Sequence, residues 1–148
     1  MKKNLFKILA CLSVIFIAIS CSSSKNATVY NTKWELDEVN GVIIDYLVDP
    51  KRDIYLTFDE GKNKFGGSTG CNTIGGNLLV EGNKLILSSM IATKMACKNM
   101  RAEQLYLSLL ESVDNYKLKG SRLILYQGDK EIASYRRSKE AAPPVAAN

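Results

Sequence analysis

The chain has 148 residues, enough for one domain with a modest core, and 46% of them are hydrophobic against 24% charged. That balance excludes wholesale disorder and a polytopic membrane protein. There is no histidine, which removes Ser-His-Asp and Cys-His catalysis, histidine metal sites and histidine pH switches together. A formal charge of +5 and a pI near 9.0 taken alone point to nucleic acid or an anionic surface, and four cysteines need an explanation.

Residues 1–20 read as an export leader. Lys2, Lys3 and Lys7 give it a positive start, and residues 8–19 are apolar except for Ser13. That run is too short to span a bilayer, which needs about 20 apolar residues, but it suits a secretory signal peptide. Cys21 follows Ala18-Ile19-Ser20 and precedes Ser22-Ser23-Ser24. This resembles the lipobox of bacterial lipoproteins, in which the cysteine is lipidated and becomes the first residue after cleavage. Ala18 stands where the usual pattern prefers leucine. The simpler alternative is an ordinary signal peptide with a chance cysteine. Cys11 after Leu9-Ala10 would leave almost no apolar region and is discarded with the leader. Two membrane signals already anchor stably, and a mature lipoprotein is expected to carry three acyl chains. Residues 22–31 are small and polar and read as a tether, at most about 35 Å long and roughly 17 Å as a coil. No acidic cluster follows Cys21, so the expected location is the cell envelope, on the periplasmic face of the outer membrane.

Removing the leader's Lys2, Lys3 and Lys7 leaves 17 of the 20 basic residues against 15 acidic ones, a net +2. The remaining charges are interspersed, without the clustered stripe of a nucleic-acid binder. No nucleic-acid partner is expected.

The remainder reads as short strands with one helix. Residues 32–39 carry Trp34, Leu36 and Val39, and Asn40-Gly41 signals a turn. Period 2 groups Trp34, Leu36 and Glu38 on one face, so this strand buries its first half, with Trp34 as core. Alternation puts Glu35 and Asp37 on one face and Glu38 on the other, so a polar strand face, not a metal cluster, is the reading of these acids. Ile54, Leu56 and Phe58 alternate with Tyr55, Thr57 and Asp59, and after the turn at 59–63 residues 64–68 return as a partner. Residues 77–80 and 84–88 flank Glu81-Gly82-Asn83, a second hairpin signal. Residues 91–97 read as a further strand. Residues 116–119 and 122–126 flank Gly120-Ser121, and 131–136 follow the turn at 127–130. Over residues 98–113, Ala102, Leu105, Tyr106, Leu109, Leu110 and Val113 form one apolar helical stripe, with Asn99 as N-cap and Glu103 suited to the first turn. The fold class is therefore α+β: a mostly antiparallel curved sheet or partly open β-barrel of about eight strands, packed on one helix. The domain spans 32–137, and 138–148, with Pro143-Pro144 and alanines, reads as a disordered tail.

With Cys11 discarded and Cys21 lipidated, Cys71 and Cys97 remain. In an oxidising compartment they form one disulfide, closing a loop worth about 3.5 kcal/mol in the chain-entropy model, or else they are two buried thiols. The glycines of 66–72 resemble a phosphate loop only superficially. The segment lacks the Gly-Lys-Ser/Thr ending and no helix follows it, so the glycines serve a tight bend or bulge.

The run Gly67-Ser68-Thr69-Gly70-Cys71-Asn72, then Gly76, then Thr93-Lys94-Met95-Ala96-Cys97 resembles the signature of META domains, also called HslJ-like after a bacterial heat-shock protein. Trp34-Glu35-Leu36 with Gly41, the helix residues Glu103, Tyr106 and Leu110, and the strands around Tyr116 and Leu123 fit the same pattern, over about residues 32–127. Gly75-Gly76-Asn77 departs from it, since the family tends to place an aromatic after the glycine. The resemblance implies a small β-rich fold with one helix, frequent envelope or lipoprotein association, and no established catalytic residue.

The expected function is that of a non-enzymatic, monomeric, membrane-tethered envelope domain. It needs no cofactor or metal and binds a protein partner or an apolar ligand, in stress tolerance or complex assembly. The alternative is a small hydrolase pairing Ser68 or Ser88 with a desolvated Lys94, although nothing in the spacing selects those residues.

Overall fold

The computed structural model describes residues 28–40, 42–43, 53–96 and 99–145. The leader, Cys21, most of the tether, Gly41 and Cys97 lie outside the described residues. The elements are β1 (Trp34–Val39), β2 (Val42–Ile43), β3 (Ile54–Asp59), β4 (Lys64–Thr69), β5 (Thr73–Glu81), β6 (Lys84–Ala92), α1 (Met100–Glu111), β7 (Asn115–Lys119), β8 (Arg122–Gln127) and β9 (Lys130–Arg137).

All strand pairings are antiparallel, in the order β2-β1-β3-β4-β5-β6-β7-β8-β9, and β1 also pairs with β9. Eight strands thus form a ring and the two-residue β2 flanks it. The ring is α+β with its helix, but it is not a regular barrel. β6 and β7 share a single paired position, Lys84 with Asn115, where full hairpins elsewhere pair five to seven. The turns expected from glycine and asparagine are realised. Asn63, Gly82, Gly120 and Gly128 all carry positive φ, which closes two-strand turns at little cost for these residues.

Alternation dictates the core. Trp34, Leu56, Phe58, Phe65, Ile74, Leu85, Leu123, Leu125 and Tyr135 are buried inside the ring, with Tyr106, Leu110 and Val113 from the helix region in the same cluster. Trp34 is fully buried and donates its indole N–H to Val29 O at 2.8 Å. The rest of β1 is half-buried, as the mixed Trp34-Leu36-Glu38 face implied. A register shift between Leu36 and Glu38 bulges Asp37 out of the ladder, and Asp37 pairs with Arg122 at 3.2 Å.

Four sequence expectations change. First, β5 begins at Thr73, because Gly75 and Gly76 both pair with β4 although they have no side chains. The Phe65 ring covers Gly76 from the neighbouring strand, where a Cβ would lie 2.7 Å from Phe65 Cε1. The aromatic missing after this glycine is thus supplied across the sheet. Second, of the strand expected over 91–97, the described residues 91–96 form no separate strand. A bulge opposite Gly76, with Ser89 at φ 50°, carries β6 through to Ala92. Third, α1 is shorter than 98–113, and its stripe is rotated. Leu105 is 60% exposed, while Leu107 packs on the core. Asn99 is the N-cap, with its side chain accepting from Ala102 N at 3.1 Å. Fourth, over 138–145 the tail is laid on the sheet rather than frayed. Glu140 pairs with Lys33 at 2.6 Å and Val145 is only 7% exposed.

Candidate functional site

The residues of the two sequence motifs converge where the β4–β5 turn meets the exit of β6 and the start of α1. Gly70, at φ 81°, takes the left-handed conformation that lets the chain reverse between Thr69 and Thr73. Thr69 closes this turn. Its N–H donates to Asn72 O at 2.9 Å, and its Oγ1 accepts from Asn72 N at 2.8 Å. Gly67 faces backbone, since a Cβ there would lie 2.2 Å from Tyr55 O across the β3–β4 ladder.

Asn72 is buried and its carboxamide joins three segments. Oδ1 accepts from Thr93 Oγ1 at 2.7 Å and from the Met95 N–H at 2.8 Å. Nδ2 donates to the Glu103 carboxylate, at 2.8 and 3.0 Å from its two oxygens. Thr69 Oγ1 donates to Glu103 Oε1 as well. Thr93 is further tied to Thr73, with N–H to O at 3.1 Å and Thr73 N to Oγ1 at 3.1 Å. A carboxamide offers two N–H donors and a carbonyl acceptor on separate atoms of one short side chain, which suits asparagine to position 72. Cys71 is half-buried in the turn, and Met95 and Ala96 are exposed. Sequence reasoning assigned Glu103 to the helix but not to this junction. The signal available was a carboxylate one turn before Tyr106 on the inward stripe.

A second polar cluster was not foreseen. The Lys33 ammonium is buried and lies 2.8 Å from Asp53, 2.6 Å from Glu140 and 3.6 Å from Glu35, with the Tyr55 ring centroid at 5.2 Å. Burial disfavours its charge, but hydrogen bonds to Asp53 and Glu140 outweigh that and raise its pKa above the ordinary lysine value. Glu35, Asp53 and Glu140 bring their oxygens within 4.8 Å of one another, and the cation they surround is Lys33. The partners lie 20 and 107 residues away, beyond any local pattern.

Inside the core, the hydroxyls of Tyr106 and Tyr135 lie 3.0 Å apart and join α1 to β9. Burial pushes both above the ordinary tyrosine range. Ser68 Oγ accepts from Gly70 N at 3.0 Å, while Ser88 is exposed in register with Asn77. Among the described residues, no hydrogen bond joins either to Lys94.

Beside the motif junction the outer sheet face is hollow. Thr57, Gly66, Gly75 and Ile91 form one rung across β3 to β6. The two central glycines floor a trough of about 270 Å3, edged by Tyr55, Ile91 and Thr93 and crossed by Pro143 and Pro144. A mostly apolar concavity with a few polar groups suits ligand or peptide binding. Among the described residues, no helix is long and apolar enough to cross a membrane.

A small, ring-like antiparallel sheet joined to one helix through Asn72 of the β4–β5 turn, with Thr93 and Met95 bound to the same side chain, defines an α+β domain. The META domain family matches residues 27–140, and the chain belongs to that family. It is similar to a protein known from an NMR structure, at 22% identity over 73% of this chain and 90% of that one, with a TM-score of 0.58. An NMR structure of a protein from Burkholderia xenovorans is similar at 22% identity over 76% of this chain and 85% of that one, also with a TM-score of 0.58. These likenesses concern the fold. No curated protein matches the chain.

Proposed function

We propose that this META-domain chain is a lipid-anchored envelope protein that works by binding, without catalysis, a protein partner or an apolar ligand in envelope stress tolerance or complex assembly. The observation that carries the reading is the glycine-floored trough, a concave surface beside a motif whose polar groups are engaged in holding segments together. Anchoring is supported by the leader of residues 1–20 and by Cys21 in its lipobox-like setting. A Cys71–Cys97 bridge is supported by the bond from Met95 N–H to Asn72 Oδ1. That bond brings the chain leading to Cys97 beside the turn carrying Cys71. The domain then stands on the periplasmic face of the outer membrane, within the reach of a short tether.

Fractionation and capture test this together. The full chain should sediment with membranes and Cys21→Ser should be released. A partner or lipid recovered with the detergent-solubilised chain should be lost when the trough is filled by Gly75→Leu. Sedimentation unchanged in Cys21→Ser overturns the anchor. Covalent labelling of the purified chain by a serine-directed fluorophosphonate overturns the binding reading in favour of a hydrolase.

A further inference from the structure

The trough already holds a peptide, and it is the chain's own. From β9 the tail passes Lys33, where Glu140 is bound at 2.6 Å, and then crosses β3 onto the glycine floor. Val145 rests on Gly66, where a Cβ would meet Val145 Cγ1 and Cγ2 at 3.5 and 3.6 Å. Lys62 Nζ donates to Val145 O at 3.3 Å. Pro143 and Pro144 line the trough with Tyr55 and Ile91. Residues 141–148 read Ala-Ala-Pro-Pro-Val-Ala-Ala-Asn and carry no charged side chain.

Consecutive prolines favour the extended polyproline conformation, which docks on aromatic-edged grooves at low entropic cost. A floor of two glycines brings backbone within reach of such a chain. The seat is only partly spent on the tail, because about 270 Å3 remains open beside the prolines. Two point attachments, Glu140 on Lys33 and Val145 O on Lys62, hold the strap. Each has one solvent-facing partner, with Glu140 70% and Lys62 50% exposed, and a contact open to water on one side is released more easily than one closed on both.

We propose that the trough is a docking site for an extended, uncharged, proline-containing peptide of a partner protein, and that residues 143–145 occupy it in cis until such a peptide displaces them. This rests on the reading of the domain as a binding module and names the site and the partner's chemistry.

The test uses 15N-labelled chain in two forms, full length and ending at Glu140, so that the Lys33 pair is kept. Each is titrated with the synthetic peptide Ala-Ala-Pro-Pro-Val-Ala-Ala-Asn. Saturable shifts of the Gly66, Gly67 and Gly75 amides are expected in the shortened chain. The full chain should bind about tenfold more weakly, because its competent state is mostly masked by its own tail. The peptide carrying aspartate at the valine position should not bind, and Gly66→Leu should abolish binding while leaving spectral dispersion unchanged. No shifts in a folded shortened chain, shifts elsewhere, or equal affinity for both forms would overturn the proposal. A full chain that elutes as a dimer, and as a monomer once shortened, would overturn it in favour of a second copy's tail. If Gly66→Leu still captures an envelope partner as wild type does, the trough assignment fails while the binding-module reading stands.

Discussion

The Asn72 carboxamide donates to both oxygens of the Glu103 carboxylate, at 2.8 and 3.0 Å, and so fixes the start of α1 to the β4–β5 turn. The same side chain receives Thr93 and Met95, so one residue joins three segments, alongside the bonds from Thr69 to Glu103 and between Thr73 and Thr93.

Removing it should therefore cost more than a surface bond. Asn72→Ala leaves the Met95 N–H and the inward-facing Glu103 without this partner, and a loss of about 3 kcal/mol is expected, since bonds to charged groups contribute about 1.5–3 kcal/mol each. Urea unfolding of Asn72→Ala, Glu103→Gln and the double variant should give a coupling energy of about 1–2 kcal/mol. Strict additivity would show that the contact contributes nothing.

Lys33 predicts an alkaline limit. Its folded pKa lies above its ordinary value because Asp53 and Glu140 stabilise the ammonium against the cost of burial. A raised folded value means the contribution is complete below the unfolded value of about 10.4 and is lost as pH rises beyond it. Lys33→Met should cost about 1 kcal/mol at pH 8, modest because both carboxylates face solvent. The gap to wild type should narrow steadily above about pH 10. A gap constant to pH 11.5 would contradict the assignment.

The tyrosine pair behaves differently. Tyr135→Phe leaves the Tyr106 hydroxyl buried without its partner, and a loss of about 1–3 kcal/mol is expected. Adding Tyr106→Phe removes the stranded group, so the double variant should recover part of that loss. Both phenols are held neutral by burial, while in the unfolded chain they ionise near about pH 10. Folding stability should fall above that pH, and less so in the double variant, as followed by phenolate absorbance during alkaline unfolding.

The cysteines give a chemical test. If Cys71 and Cys97 are bridged, alkylation without reductant should add nothing at these positions to the purified chain, and reduction should lower stability by about 3.5 kcal/mol. Two alkylated residues before reduction would show free thiols instead.

Much of the fold was legible locally. The alternation through Ile54, Leu56 and Phe58, the turns at Gly82, Gly120 and Gly128, and the Asn99 cap follow from backbone sterics and the strand and helix periods, which act over a few residues. Where local reading failed, a neighbour had changed the rule. The Phe65 ring made Gly76 a strand residue, and Glu103's turn toward Asn72 rotated α1 so that Leu105, an apolar position, faces water.

The sequence by itself determined the element types, the buried faces, the leader-like start and the motif residues that mark a META domain. Tertiary structure alone decided that Asn72 meets Glu103, that Lys33 gathers Asp53 and Glu140 from 20 and 107 residues away, and that a proline tail rests on a glycine floor. Periodicity encodes which way a side chain faces. What stands opposite it is set when the ring closes, because β1 is then paired with β9 across a hundred residues of chain.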